Sequence, residues 1–291
     1  MLWLVIAARV LANPGSNALQ KVLAGRGLGP PWVIGFTHVG LSLAVLPWLL
    51  TQPLPPASDF WWNVSLSALL ATVANTLIVV AVHKADLSLV GPVNSFKPVV
   101  SLLPGWLLLG ERPTWAGAAG IALVMGGSCL LHRPQLGSGN GTFGRLFRDR
   151  GVQIRFAALV PSAVEAVFLK RALAHGDALA VFAWWSVLCV PAVIVALLLT
   201  RGFRRGAEQL ALVRSAWLPA IGLILTTGLM QSCTVLTLAW MQVGYSLALF
   251  QISSVVLVLI GWGCFGERDF SRRLAGSLVM AAGAAVIVAV R

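Results

Sequence analysis

Three ionisable residues of this sequence lie where charge is costly. Arg9, Lys97 and Glu165 each fall inside a long apolar stretch. A charged side chain at a bilayer centre costs at least about 2.5–3.5 kcal/mol on insertion scales and persists only facing a cavity or a partner. Their chemistry is that of binding: two cations can hold an anionic or zwitterionic molecule, and one acid can exchange a proton. Lys97 is the principal ligand-binding candidate, Arg9 a contributor and Glu165 the ion-coupling candidate. A Lys97–Glu165 ion pair that locks two helices is the competing structural reading.

Polar neighbours reinforce these positions. Around Lys97 runs Gly91-Pro92-Val93-Asn94-Ser95-Phe96-Lys97-Pro98. Each proline removes a backbone donor, which predicts a kinked helix exposing polar backbone beside Asn94 and Ser95. Pro14, with Asn13, Ser16, Asn17 and Gln20, predicts the same in the first apolar stretch. Asn75, Gln231 and Gln251 complete the set of substrate-binding candidates; Trp184 and Trp185 are weaker ones. His38 reads as a packed polar group.

These residues need elements that cross a membrane. Of 291 residues, 58% are hydrophobic and 10% charged, against about 45–50% and 25% in soluble domains. The mean hydropathy is +0.87. Both exclude a soluble enzyme. Taking about 20 apolar residues per crossing, ten spans can be marked off: Leu2 to Leu23, Pro31 to Leu50, Trp62 to Val82, Leu87 to Leu109, Thr114 to Leu131, Ile154 to Ala174, Ala178 to Leu199, Ala216 to Trp240, Tyr245 to Phe265 and Leu274 to Val290. The net charge of +12 sits mainly in the connections, as expected beside anionic headgroups, and no basic and aromatic stripe suggests nucleic acid. The single cysteines and scattered histidines (His38, His83, His132, His175) suggest no metal, no cofactor and no catalytic cluster. No ring of like residues suggests a channel pore.

The chain repeats itself. Shifting it by 156 residues lays Gly105, Trp106, Gly110, Glu111 and Arg112 on Gly261, Trp262, Gly266, Glu267 and Arg268, and Gly120 and Gly127 on Gly276 and Gly283. Eleven of the 29 positions from Val99 to Gly127 are identical under this shift. The expected organisation is a five-helix half over 1–131, a Gly- and Arg-rich linker over 132–152 and a second half over 153–291. Five helices per half turn the second copy upside down. The expected fold class is therefore all-α integral membrane protein, with ten transmembrane helices as two inverted five-helix repeats, an architecture typical of secondary transporters. Under the shift Lys97 falls on Ser253, and Asn75 on Gln231.

The duplicated Gly-x-x-x-x-Gly-Glu-Arg ends of spans 4 and 9, each followed by a Gly-rich helix, resemble the drug/metabolite transporter superfamily, specifically its ten-helix EamA branch. The resemblance implies secondary transport of a small metabolite or drug across the bacterial cytoplasmic (inner) membrane, through a cavity lined by helices 1, 3, 4, 6, 8 and 9. A flippase for a lipid-linked substrate is the alternative, and a polytopic membrane enzyme the rival from another class. The expected partners are a small-molecule substrate, the lipid bilayer and a coupling proton, in a monomer or weak homodimer. Glu111 beside Arg112, and Glu267 beside Arg268, read as terminal charge pairs. Gly120, Gly127, Gly276 and Gly283 read as close packing of scaffold helices.

Orientation divides the arguments. Odd-numbered connections, counting Arg155 among them, carry fourteen Lys and Arg against three in the even ones, which places both termini outside; the resemblance implies both inside. For coupling the expectation is definite: Glu165→Gln abolishes proton-driven transport in proteoliposomes while preserving folding and substrate exchange, and unchanged uptake under a pH gradient would overturn the assignment.

Overall fold

A computed structural model describes residues 1–84, 93–136, 150–199, 205–256 and 270–290, and within them every regular element is helical. The helices are α1 (Leu2–Gly25), α2 (Pro30–Leu49), α3 (Ser58–Lys84), α4 (Lys97–Leu109), α5 (Trp115–Leu136), α6 (Arg150–Ala172), α7 (Ala178–Leu199), α8 (Gly206–Ser215), α9 (Trp217–Trp240), α10 (Val243–Phe250) and α11 (Phe270–Ala289). Segments Pro30–Leu49, Ser58–Ile78, Ala178–Leu199 and Trp217–Trp240 are long and apolar enough to cross a bilayer unaided. Shorter apolar helices run Lys97–Leu109, Trp115–Leu130, Val243–Val256 and Ala275–Ala289. Exposed Trp3, Trp62, Trp115, Trp217 and Trp240 stand at helix ends, where indole rings match the headgroup level.

Local sequence accounts for several boundaries. Pro30 and Pro31 open α2, where a missing N–H costs nothing. Thr114 caps α5 through Oγ1, which accepts from Gly117 N–H at 3.0 Å, and Asp177 does the same for Ala180 at the start of α7, at 2.8 Å. The short α8 is an element that hydropathy did not reveal, since it lies within a connection. Its Gln209 clamps the α1–α2 turn, accepting from Gly29 N–H at 2.8 Å and donating to Gly27 O at 3.3 Å.

Helix packing comes in matched sets. The closest neighbours are α3 with α6, α1 with α9, α2 with α7, and α5 with α11. The 156-residue shift lays α3 on α9 and α5 on α11, and aligning Lys21 with Lys170 lays α1 on α6 and α2 on α7, so that α3–α6 exchanges with α9–α1 while α2–α7 and α5–α11 each map onto themselves. A large core of Leu41, Phe60, Val64, Leu169, Val181, Leu238, Val243 and Leu247 binds α2, α3, α6, α7, α9 and α10 together. Of the expected linker over 132–152, residues 132–136 continue α5 and 150–152 begin α6, while 137–149 lie outside the described residues, as do the second Gly-Glu-Arg motif at Gly266–Arg268, and Gly91 and Pro92.

The glycine stripes set the α5–α11 contact. A Cβ on Gly127 would stand 2.6 Å from Gly276 O and 2.7 Å from Met280 Cγ, and one on Gly283 would stand 2.7 Å from Gly120 O. Backbone opposes backbone there, so no side chain can swing away. Gly126, one position before Gly127, has nothing within 4 Å of its added Cβ. Gly127→Ala is therefore expected to destabilise the protein by about 1–3 kcal/mol, and Gly126→Ala to leave it unchanged or slightly firmer, by thermal unfolding in detergent.

Candidate functional site

Two helix interruptions build the site. Val93 and Asn94 are helical, Ser95 and Phe96 form a turn, and α4 begins at Lys97. Pro98 accounts for the interruption, because it lacks the N–H that a continuous helix would donate to the Asn94 carbonyl. In the second half α10 ends at Phe250, Gln251 and Ile252 form a turn, and helix resumes at Ser253. The positions 95–96 and 251–252 coincide under the 156-residue shift. Here no proline is present, so the second break carried no local signal; only the repeat could have predicted it. The breaks meet: Gln251 Nε2 donates to the Asn94 carbonyl at 3.0 Å, and Asn13 Nδ2 on α1 donates to Ser253 Oγ at 3.0 Å.

Around them lies a cavity of about 230 Å³. Arg9, Asn17, Asn75, Asn94, Lys97, Glu165, Gln231 and Gln251 all line it. Ser95 does not. It is fully buried and donates to Ser128 Oγ on α5, so it fastens the break to the scaffold. Trp184 packs instead on Trp61, with ring centroids 4.7 Å apart. Trp185 does reach the cavity, edge-on to His38 at 5.0 Å. His38 is buried with Nδ1 unpartnered, and with it α2 and α7 join the lining helices that the resemblance implies.

The residues fall into levels. Glu165, ten residues beyond Arg155 on α6, lies about 15 Å deeper at 1.5 Å per residue. Its Oε1 accepts from Gln231 Nε2 at 3.4 Å. The Arg9 guanidinium sits 4.2 Å over the Phe250 ring, a cation–π contact that orients it. Lys97 lies within electrostatic reach of Arg9, Arg155 and Glu165. No Lys97–Glu165 ion pair forms; the ion pairs among the described residues are Lys170–Glu111 and a 3.9 Å His175–Asp59 contact.

Arg155 departs from expectation. It was counted with the connections, but α6 begins at Arg150 and carries it into the protein, only 8% exposed. Its Nη2 donates to Asn94 Oδ1, while Nε and Nη1 have no partner. A signal was available: Arg155, Ser162 and Glu165 share one helix face by spacing, and all three line the cavity.

The lining runs from Val33 and Arg155, near the starts of α2 and α6, past mid-helix to Glu165 and Leu169. Beyond it, near the end of α6, the large core and a junction at Glu111 tie the helices together. Gly110, at φ 67°, ends α4 in a left-handed conformation suited to glycine. The turn swings Glu111 across to the second half, where Oε2 accepts from Val243 N–H at 2.8 Å at the start of α10 and Oε1 pairs with Lys170 on α6 at 2.8 Å. Lys170 also donates to Met241 O. Glu111 therefore does not pair with adjacent Arg112, which is exposed and reaches only the Trp106 ring at 6.0 Å. A helix N-terminus and an ammonium together outcompete a solvated neighbour.

Residues 2–133 match the EamA-like transporter family. That stretch is of the EamA type of the drug/metabolite transporter superfamily. Together with the long apolar helices, the match makes the chain a multi-pass membrane protein of a transporter type. A solved crystal structure shares 18% of its residues with this chain and aligns over 97% of it and 94% of its own length at a TM-score of 0.69, which shows a common fold. No curated protein matches the sequence. The Glu111 geometry makes a prediction: Glu111→Ala leaves Val243 N–H and Lys170 without their acceptor and costs about 1–3 kcal/mol of stability, whereas Arg112→Ala costs about 0.5 kcal/mol or less, by thermal unfolding in detergent.

Proposed function

We propose that this EamA-type protein is a secondary transporter that moves a small polar metabolite, anionic or zwitterionic, across a bacterial cytoplasmic membrane by alternating access. The observation that carries the reading is the charged cavity at two facing helix breaks, one in each half of the chain. Discontinuous helices at the interface of repeats are where transporters place substrate, because freed backbone groups are tolerable only beside a cavity. The matched helix contacts and the shared break position support ten spans in two inverted five-helix repeats, over 1–131 and 153–291. A cavity lying to one side of a filled core is the form that one end state of alternating access takes.

In this reading Lys97, Arg9, Asn94, Asn17, Asn75, Gln231 and Gln251 contact the substrate, and Glu165, at the deep end, is the residue whose protonation changes in the cycle. The Glu111–Lys170 junction seals the closed side. A pocket of about 230 Å³ falls just below the roughly 300–1,000 Å³ of drug-sized sites, which favours a compact solute over a lipid-linked one.

Saturable counterflow in proteoliposomes tests the proposal, following a thermal-shift screen for the solute. Lys97→Gln is expected to lower the affinity for the hit by about tenfold or more, as loss of a charged hydrogen bond does. Non-saturating flux would indicate a channel, and a hit bound with unchanged affinity would remove Lys97 from the site.

A further inference from the structure

The lining of the cavity holds an imbalance of charge larger than the sequence suggested. Among the described residues Arg9, Lys97 and Arg155 face Glu165 alone, an excess of two positive charges, and no ion pair between described residues neutralises any of the three. Both guanidiniums are held by a single contact that leaves donors free. Arg9 rests on Phe250 with Nε and Nη1 unpartnered. Arg155 is tethered to Asn94 with the same two nitrogens unpartnered. Lys97 lies within electrostatic reach of both, at the first residue of α4, where the helix dipole adds positive potential.

Buried donors without acceptors are costly, and uncompensated buried charges more so. A site that keeps two oriented guanidiniums and an ammonium in this condition is complementary to something that brings the missing charge. Guanidinium suits oxyanions, whose oxygens accept several donors at once. A zwitterion would add no net charge, and a cation would worsen the imbalance.

Building on the transport reading above, we infer that the solute held at Lys97 is a small dianion whose charge resides on oxyanion oxygens, a phosphomonoester or a dicarboxylate, bound by Lys97 together with Arg9 and Arg155. Arg155 is then a ligand-binding residue and Asn94 its positioning residue. Glu165 and Gln231 meet the other end of the solute, where a hydroxyl fits better than a third anionic group.

The test uses the full chain in detergent and in proteoliposomes at pH 7.5, with matched probes: succinate against monomethyl succinate, glycerol 3-phosphate against glycerol, and glutamine as a zwitterion. Binding is read as the concentration dependence of the thermal shift. At least one dianion should bind about tenfold or more tightly than its less charged counterpart and than glutamine, and the better of the two arms identifies the oxyanion. Arg155→Gln should weaken that dianion by about tenfold or more, with partial recovery in Arg155→Lys. The ligand-free Arg155→Gln protein should melt no lower than the parent, because it loses an uncompensated buried charge; a merely structural arginine would lower it.

Equal binding of glutamine or glycerol, no shift with either dianion, or an unchanged dianion affinity in Arg155→Gln would each overturn the inference. Counterflow separates it from the broader reading. Saturable exchange of glutamine without dianion binding leaves a transporter with another substrate, whereas dianion binding without exchange of any probe retains the site and removes the transport role.

Discussion

The architecture depends on one carboxylate shared between the halves of the chain. Glu111, delivered by the left-handed turn at Gly110, satisfies Val243 N–H at the opening of α10 and the Lys170 ammonium on α6. A lipid-embedded bundle has little hydrophobic drive to join its helices, since tails are as apolar as leucine. Polar contacts of this kind must therefore define which helix ends meet. Glu111 ties α4, α6 and the α9–α10 junction together near the end of α6, and the large apolar core joins the helices there.

What remains open is the cavity, where the chain accepts polar and charged groups at considerable cost. The cost is managed by a division of labour. Ser95 is spent on Ser128, Ser16 on Thr227 at 3.0 Å, and Asn13 on Ser253 at 3.0 Å, so that these short polar side chains fasten the helices around the breaks. The long cations are left with free donors. A cavity walled by fixed helices and lined by unsatisfied long side chains is ready for a ligand without collapsing on itself. The α5–α11 pair, whose described residues contribute nothing to the lining, supplies a rigid flank through backbone contact at Gly127 and Gly283.

Much of the site was legible because burial of charge is rare enough to be informative. Arg9, Lys97 and Glu165 stand out against apolar surroundings, and all three line the cavity. Ser95 and Arg155 show where this logic weakens. A hydroxyl in a span can serve packing as easily as binding, and only its partner on α5 distinguishes the two. Arg155 lay next to a basic linker, so its charge gave no contrast, and only the start of α6 at Arg150 shows that it is inside. The Gly-Glu-Arg motif was visible, yet adjacency favoured Arg112 as the partner of Glu111, whereas the actual partners lie far along the chain.

The sequence by itself determined the class of solvent, the helical character, the internal identity at a 156-residue shift and the three deep charges, because each follows from composition, period or identity along a line. The tertiary structure decided which charges share a cavity, that the interruption near Pro98 has a proline-free counterpart at Gln251, and that Glu111 crosses to the other half. These depend on the rotation of each helix about its axis and on which ends meet. Such quantities are set by packing among distant segments, and no local pattern in the chain encodes them.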